Sequence, residues 1–149
     1  IIGETFMGDD NVAMILGDNI FDDCFAKEIK SFRGGATIFV KEVADPERYG
    51  VVEFDKKHKV ISLEEKPVKP RGNFAVVGLY IFDNQVIKFA KSLKPSARGE
   101  IEITDLNRIY LNKNELRVNF IKGMWEDAGT FDSLLRAQNL IAQKLQTKK

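Results

Sequence analysis

The chain has 149 residues, 44% hydrophobic and 30% charged, and its 23 basic and 22 acidic side chains leave a formal net charge of +1. A single domain with a sizeable core is the expectation at that length. The even charge balance excludes the basic footprint that nucleic acid requires, and no apolar run is long enough to span a bilayer.

In chain order, Val12 to Leu16 is apolar throughout and predicts a short buried strand. Asp22 or Asp23 can cap a helix running to about Phe32, with Phe25, Ile29 and Phe32 on one face and Gly34-Gly35 ending it. "ATIFVKEV" reads as the next strand, so strand, helix and strand predict a βαβ unit with a parallel pair. "VVEFD" and "VISLEE" flank a lysine-rich turn and predict a β-hairpin, after which Pro67 and Pro70 interrupt pairing. "FAVVGLYIF" is the longest apolar run and predicts a central strand, followed by a helix over about 84–93 with Val86, Ile87, Ala90 and Leu93 inward. Thr104 is expected to cap a helix carrying Leu106, Ile109 and Tyr110, and "LRVNFI" to form a strand. Thr130 then caps a final helix, with Phe131, Leu134, Gln138, Ile141 and Leu145 on or near one stripe. The sum is an α/β class with a mixed sheet and a hairpin insertion.

Scarcity narrows the chemistry. Cys24 is the only cysteine, so no internal disulfide forms; a reducing cytoplasm is the expected setting, and the thiol is expected to be a small core residue on a helix. His58 is the only histidine and lies in the polar run "DKKHKV", a turn, which excludes a multi-histidine zinc site and a histidine-based triad. The basic clusters Lys56-Lys57-His58-Lys59 and Lys148-Lys149 read as solvated turn and tail charges. No secretory signal opens the chain, and a start at Ile1-Ile2-Gly3 without methionine points to an end made by cleavage or design.

Carboxylates and cations remain. Asp18 stands just past the first strand, where open α/β sheets place ligand groups, although from position alone an Asx turn is the commoner explanation. Asp127 also precedes a helix, and two such aspartates form a magnesium site when substrate phosphates complete the shell. Alternation puts Glu65 on the face of Leu63, where a carboxylate needs a donor; sugar hydroxyls are donors, and Lys66 beside it suits a phosphate. An exposed edge strand with solvated charges accounts for the same pattern. Arg98 in "SARGE" is either a solvent arginine or a phosphate clamp.

The blocks "LGDNIF", "DPERYGVVEFD", "ISLEEKP", "FAVVGLYIFDN", "LKPSARGEIEITDLNRIYL" and "WEDAGTFDSLL" stand in an order that resembles the glucose-1-phosphate thymidylyltransferases, a family of sugar nucleotidyltransferases, over nearly the whole chain. The resemblance implies a nucleotidyltransferase-type Rossmann-like sheet with flanking helices, in a cytoplasmic enzyme that makes dTDP-glucose and pyrophosphate from dTTP and glucose 1-phosphate. It implies that Asp18 and Asp127 bind Mg2+, that Lys66 and Arg98 hold phosphates, and that Asn19, Gly50, Glu65 and Val76 line the sugar pocket with Tyr49 beside it.

The family's Gly-rich "GGxGTRLxPxT" loop is not in this sequence, so residues 1–149 are expected to be the sugar-phosphate- and metal-binding portion, an incomplete sheet that is inactive or weak alone. Exposed strand edges then favour a homo-oligomer or a partner supplying strands. The rival expectations are a non-catalytic sugar-phosphate-binding module, half of a split enzyme, a truncated enzyme, and transfer from UTP or GTP instead of dTTP.

Overall fold

The computed structural model describes residues 2–147; Ile1 and the tail pair Lys148-Lys149 lie outside them. In chain order the elements are α1 (Glu4–Met7), β1 (Val12–Ile15), β2 (Asn19–Phe21), α2 (Ala26–Ser31), β3 (Ala36–Glu42), β4 (Gly50–Phe54), β5 (Val60–Glu65), β6 (Phe74–Phe82), α3 (Gln85–Ser92), α4 (Ile103–Asn112), β7 (Leu116–Phe120), β8 (Trp125–Asp127) and α5 (Phe131–Thr147). A 3-10 turn occupies Pro46–Arg48.

The apolar run of β6 organises the main sheet. A strand without polar alternation is stable only with both faces covered. Val76, Tyr80 and Phe82 pack with Ile38, Val40, Val52, Leu63, Leu106 and Tyr110, while Val77, Leu79 and Ile81 pack with Phe32, Phe39 and Ile121. On one edge, β6 pairs antiparallel with β3, which pairs parallel with β7. The other edge is shared. β1 pairs antiparallel with it at residues 79–82 and β4 at residues 74–75, so the end of β1 and the start of β4 approach each other beside Val76 and Gly78. The predicted hairpin is present as β4 and β5, with Gly50 opposite Glu65, and its turn is held by the Asp55 carboxylate, which accepts from the Lys57 and Lys59 amides.

Several expectations change. β1 and β3 run parallel but do not pair, because β6 lies between them; the pattern of a βαβ unit does not disclose a strand inserted later in the chain. β1 is not buried: Val12 and Met14 pack on the core, whereas Ile15 is 57% exposed, since β1 has one covered face and one paired edge. Asp22 and Asp23 do not cap α2. Asp23 accepts from Gly123 N at 2.9 Å and Asp22 accepts from Met124 N, tying the loop after β7 to the loop after β2. Cys24 is therefore in a loop and exposed, not a core residue on a helix. Thr104 lies inside α4, whose N-cap is Glu102. Thr130 does cap α5, its Oγ1 accepting from Ser133 N at 3.2 Å, but Phe131 and Leu145 on that helix are exposed.

Phe39 is 1% exposed and its ring meets Phe25 edge-on at 5.1 Å between centroids. Phe39→Ala is expected to lower stability by about 3–5 kcal/mol, measured as a shift of the urea midpoint at unchanged slope. Tyr110, fully buried on α4, donates to Asp83 Oδ1 at 2.9 Å, and Asp83 Oδ2 accepts from Gly35 N. Burial first, and then that carboxylate, raise the Tyr110 phenol well above its ordinary value.

Candidate active site

The short pair β2–β8 sets the site. Its register places Asn19 opposite Asp127, and Ala128 N donates to the Asp18 carbonyl at 2.7 Å. Two aspartates from distant parts of the chain are thereby brought together. A Cβ built on Gly129 would lie 3.0 Å from Asp127 Oδ1 and 3.2 Å from Asp18 Oδ2, so both oxygens border one small space that glycine leaves clear. Among the described residues no group of three or more His, Cys, Asp or Glu side chains is placed to hold a metal ion. Two carboxylate donors with the remaining positions open suit a hard divalent cation whose shell is completed by water or phosphate.

Asp18, Asp127, Lys66, Arg48, Tyr49, Gly129 and Thr130 line a cavity of about 440 Å³. Lys66 takes a left-handed backbone (φ 42°), and its N–H donates to the Tyr49 carbonyl at 3.0 Å, which turns the chain sharply at the end of β5. Arg48 donates to Asp45 Oδ2 at 2.7 Å and lies 5.4 Å from the centre of the Tyr49 ring. The Asp45 hydrogen bond raises the Arg48 pKa, so the guanidinium stays charged, while burial raises the Tyr49 phenol.

A second cavity of about 210 Å³ shares Arg48, Tyr49, Lys66 and Asp127 and extends to Asn19, Gly50, Glu65, Val76, Gly78, Thr104 and Trp125. It occupies the gap on β6 between β1 and β4, the kind of strand-order switch where open sheets bind ligands. Glu65 does have donors for its half-buried carboxylate, but they are protein groups: Thr104 Oγ1 donates to Oε2 at 2.5 Å, and Arg98 lies 3.6 Å from Oε1. Thr104→Val leaves Oε2 without that donor and is expected to lower stability by about 1–3 kcal/mol, read by urea unfolding.

Eight of the nine sequence-predicted site residues line these two joined cavities: Asp18, Asn19, Tyr49, Gly50, Glu65, Lys66, Val76 and Asp127. Arg98 does not. Its guanidinium sits on Glu65, Glu100 and Glu102 at 3.2–3.6 Å, and reaching a phosphate beside Lys66 means leaving those carboxylates. Arg48, Thr104, Trp125, Gly78 and Gly129 line the cavities without having been singled out as site residues in the sequence.

Residues 1–144 match the model of the nucleotidyl transferase family. The chain belongs to that family. Curated relatives named glucose-1-phosphate thymidylyltransferase include one from Neisseria meningitidis, 49% identical over 147 residues, and one from Mycobacterium tuberculosis, 50% identical over 147 residues. Each alignment covers 95% of this chain and 51% of the relative, so the chain spans about half the length of the curated relatives it matches. A crystal structure titled as a putative glucose-1-phosphate thymidylyltransferase from Bacillus anthracis superposes with TM-score 0.85 at 45% identity, over 93% of this chain and 57% of that one. A UDP-glucose pyrophosphorylase complexed with UDP-glucose superposes with TM-score 0.83 at 24% identity, over 95% of this chain and 60% of that one, and shows the shared fold. The mixed α/β fold and the nucleotidyltransferase resemblance expected from the sequence are thus borne out. Among the described residues, no helix is long and apolar enough to cross a membrane.

Proposed function

We propose that this chain forms the sugar-phosphate- and metal-binding half of a site that joins glucose 1-phosphate to the α-phosphate of dTTP, giving dTDP-glucose and pyrophosphate. The observation that supports it most is the continuity of the two cavities: Asp18, Asp127 and Lys66 stand at one end, and Gly50, Glu65 and Val76 at the other. Glu65 accepts from sugar hydroxyls with the lone pairs that Thr104 leaves free, and Gly50, lacking a side chain, leaves room for the Thr104–Glu65 hydrogen bond that orients this carboxylate. Lys66 donates to the sugar phosphate and offsets its charge. The Asp18 and Asp127 carboxylates, with Gly129 leaving room between them, suit Mg2+, which when bound neutralises phosphate charge and aligns the phosphates. The sugar phosphate oxygen forms a bond to the α-phosphorus as the bond to the β-phosphate oxygen breaks, and pyrophosphate leaves with that electron pair. Positioning and charge stabilisation carry such a transfer, with no covalent intermediate on the protein.

The test reads binding, because the chain spans about half of its relatives' length. Titration calorimetry of the 149-residue chain with dTDP-glucose is expected to show one site whose affinity rises when Mg2+ is added. Failure to bind either dTDP-glucose or glucose 1-phosphate, with Mg2+ and in a folded chain, overturns the reading. The exposed Ile15 and Leu16 beside the free edge of β1 support self-association or a strand-supplying partner as part of the same proposal, to be read by sedimentation.

A further inference from the structure

The amide of Asn19 joins three parts of the site. Its Oδ1 accepts from Gly78 N of β6 at 2.8 Å and from Trp125 Nε1 of β8 at 2.7 Å, and its Nδ2 donates to Asp18 Oδ1 at 2.9 Å. An amide oxygen has two lone pairs, and both are taken. Turning the amide over would set its NH2 against two N–H donors, so Nδ2 is obliged to face Asp18. The fit is close: a Cβ on Gly78 would lie 2.6–2.7 Å from the Asn19 amide atoms. Strand alternation puts Trp125 and Asp127 on one face of β8. Trp125 there reaches Asn19, while Asp127 faces the space by Gly129 that it shares with Asp18 Oδ2.

We infer that Trp125 is a positioning residue for the metal site: its indole N–H, acting through Asn19, ties down Asp18 Oδ1 so that Oδ2 faces Asp127. The inference rests on the proposed metal role of Asp18 and Asp127. Asp18 is exposed, and without the Asn19 amide its carboxylate is free to rotate into solvent. Outer-sphere groups of this kind are worth about 10–100-fold in metal affinity. Gly78 N still donates to Asn19 when the indole is lost, so about tenfold is the expected size for Trp125 alone. The tryptophan ring also meets Tyr49 edge-on, with centroids 5.3 Å apart, and that packing is kept by phenylalanine.

The experiment is a titration of Mn2+ alone, as a paramagnetic substitute for Mg2+, into the 149-residue chain and four variants, with free Mn2+ read by electron paramagnetic resonance. Trp125→Phe is expected to weaken Mn2+ binding about tenfold, Asn19→Ala at least as much, and the double variant no more than Asn19→Ala. That non-additivity in metal affinity is something a merely structural tryptophan does not produce. Asp18→Asn separates the two claims. If Asp18→Asn loses Mn2+ binding while Trp125→Phe or Asn19→Ala binds like the parent, the positioning role is overturned and the metal reading stands. If Asp18→Asn binds Mn2+ like the parent, the metal reading falls, and this inference with it. Should Trp125→Phe not fold, Asn19→Ala reads the link to Asp18 through which the indole acts: weakened Mn2+ binding supports the role, and binding like the parent overturns it.

Discussion

Asp127→Asn is expected to weaken Mg2+ binding by roughly a hundredfold or more and to abolish the Mg2+-dependent part of dTDP-glucose binding. Removing an outer-sphere group costs about 10–100-fold in metal affinity, and removal of a direct ligand costs at least as much. The substitution is suited to the test because it spares the fold. Asp127 Oδ1 accepts from Gly129 N at 3.0 Å, and an asparagine Oδ1 can keep that bond; the pairing of residue 127 with Asn19 is through backbone. What changes is charge. Arg48 and Lys66 line the same cavity, so removing one of its carboxylates makes it more positive. Metal-free affinity for glucose 1-phosphate is therefore expected to hold or rise, opposite in sign to the loss with metal. Calorimetry with and without Mg2+ reads both signs, and an equal loss in the two conditions would mean general damage to the site.

Gly50→Ala is expected to act at the other end. The added Cβ would stand 2.8 Å from Thr104 Oγ1 and 3.2 Å from Glu65 Oε2, closer than either atom can accept without moving. Both belong to one hydrogen bond, and Glu65 is also the partner of Gly50 across β4 and β5, so neither can retreat independently. Overpacking of this kind costs about 1–3 kcal/mol. Displacing the Glu65 carboxylate, the proposed acceptor for sugar hydroxyls, is expected to weaken productive binding, by up to about a hundredfold for a misplacement near 1 Å. Mn2+ affinity is expected to stay at the parent level, because Asp18 and Asp127 are held by β2 and β8 rather than by the hairpin. Unchanged sugar-phosphate affinity in a folded Gly50→Ala protein would remove Glu65 from the proposed site. The two substitutions together test the proposed division of the cavity into a metal end and a sugar end.

Much of this arrangement is legible in the sequence, for physical reasons that differ by element. The doubly buried β6 announces itself because nine consecutive residues without polar alternation have no other stable place. The β4–β5 hairpin is legible from two β-rich runs around a polar turn, whereas Asp18 is legible from its motif context and not from strand patterning alone. The pair β2–β8 is not legible, since three-residue strands carry no usable period and their partners stand about a hundred positions apart, as the Asn19–Trp125 hydrogen bond does at 106. That hidden pair is what brings Asp127 to Asp18. Thr104 misleads for a related reason. Near a helix start a threonine reads as a cap, yet here it is the second residue of α4, two past the cap Glu102, donating to a carboxylate 39 positions away. Arg48 is concealed in a turn, and only the fold shows its guanidinium facing the cavity beside Tyr49. Arg98 shows the converse: a loop arginine that invites a phosphate role is engaged by three carboxylates of its own chain.

The most direct measurement is an amide NMR titration of the 15N-labelled chain with Mn2+ in the presence of glucose 1-phosphate. Paramagnetic broadening is predicted to appear first at residues 17–20 and 126–130, with sugar-phosphate shifts centred on Gly50, Glu65, Lys66 and Val76. Broadening that begins elsewhere, or that spreads evenly over the exposed carboxylates, would contradict a metal site between Asp18 and Asp127.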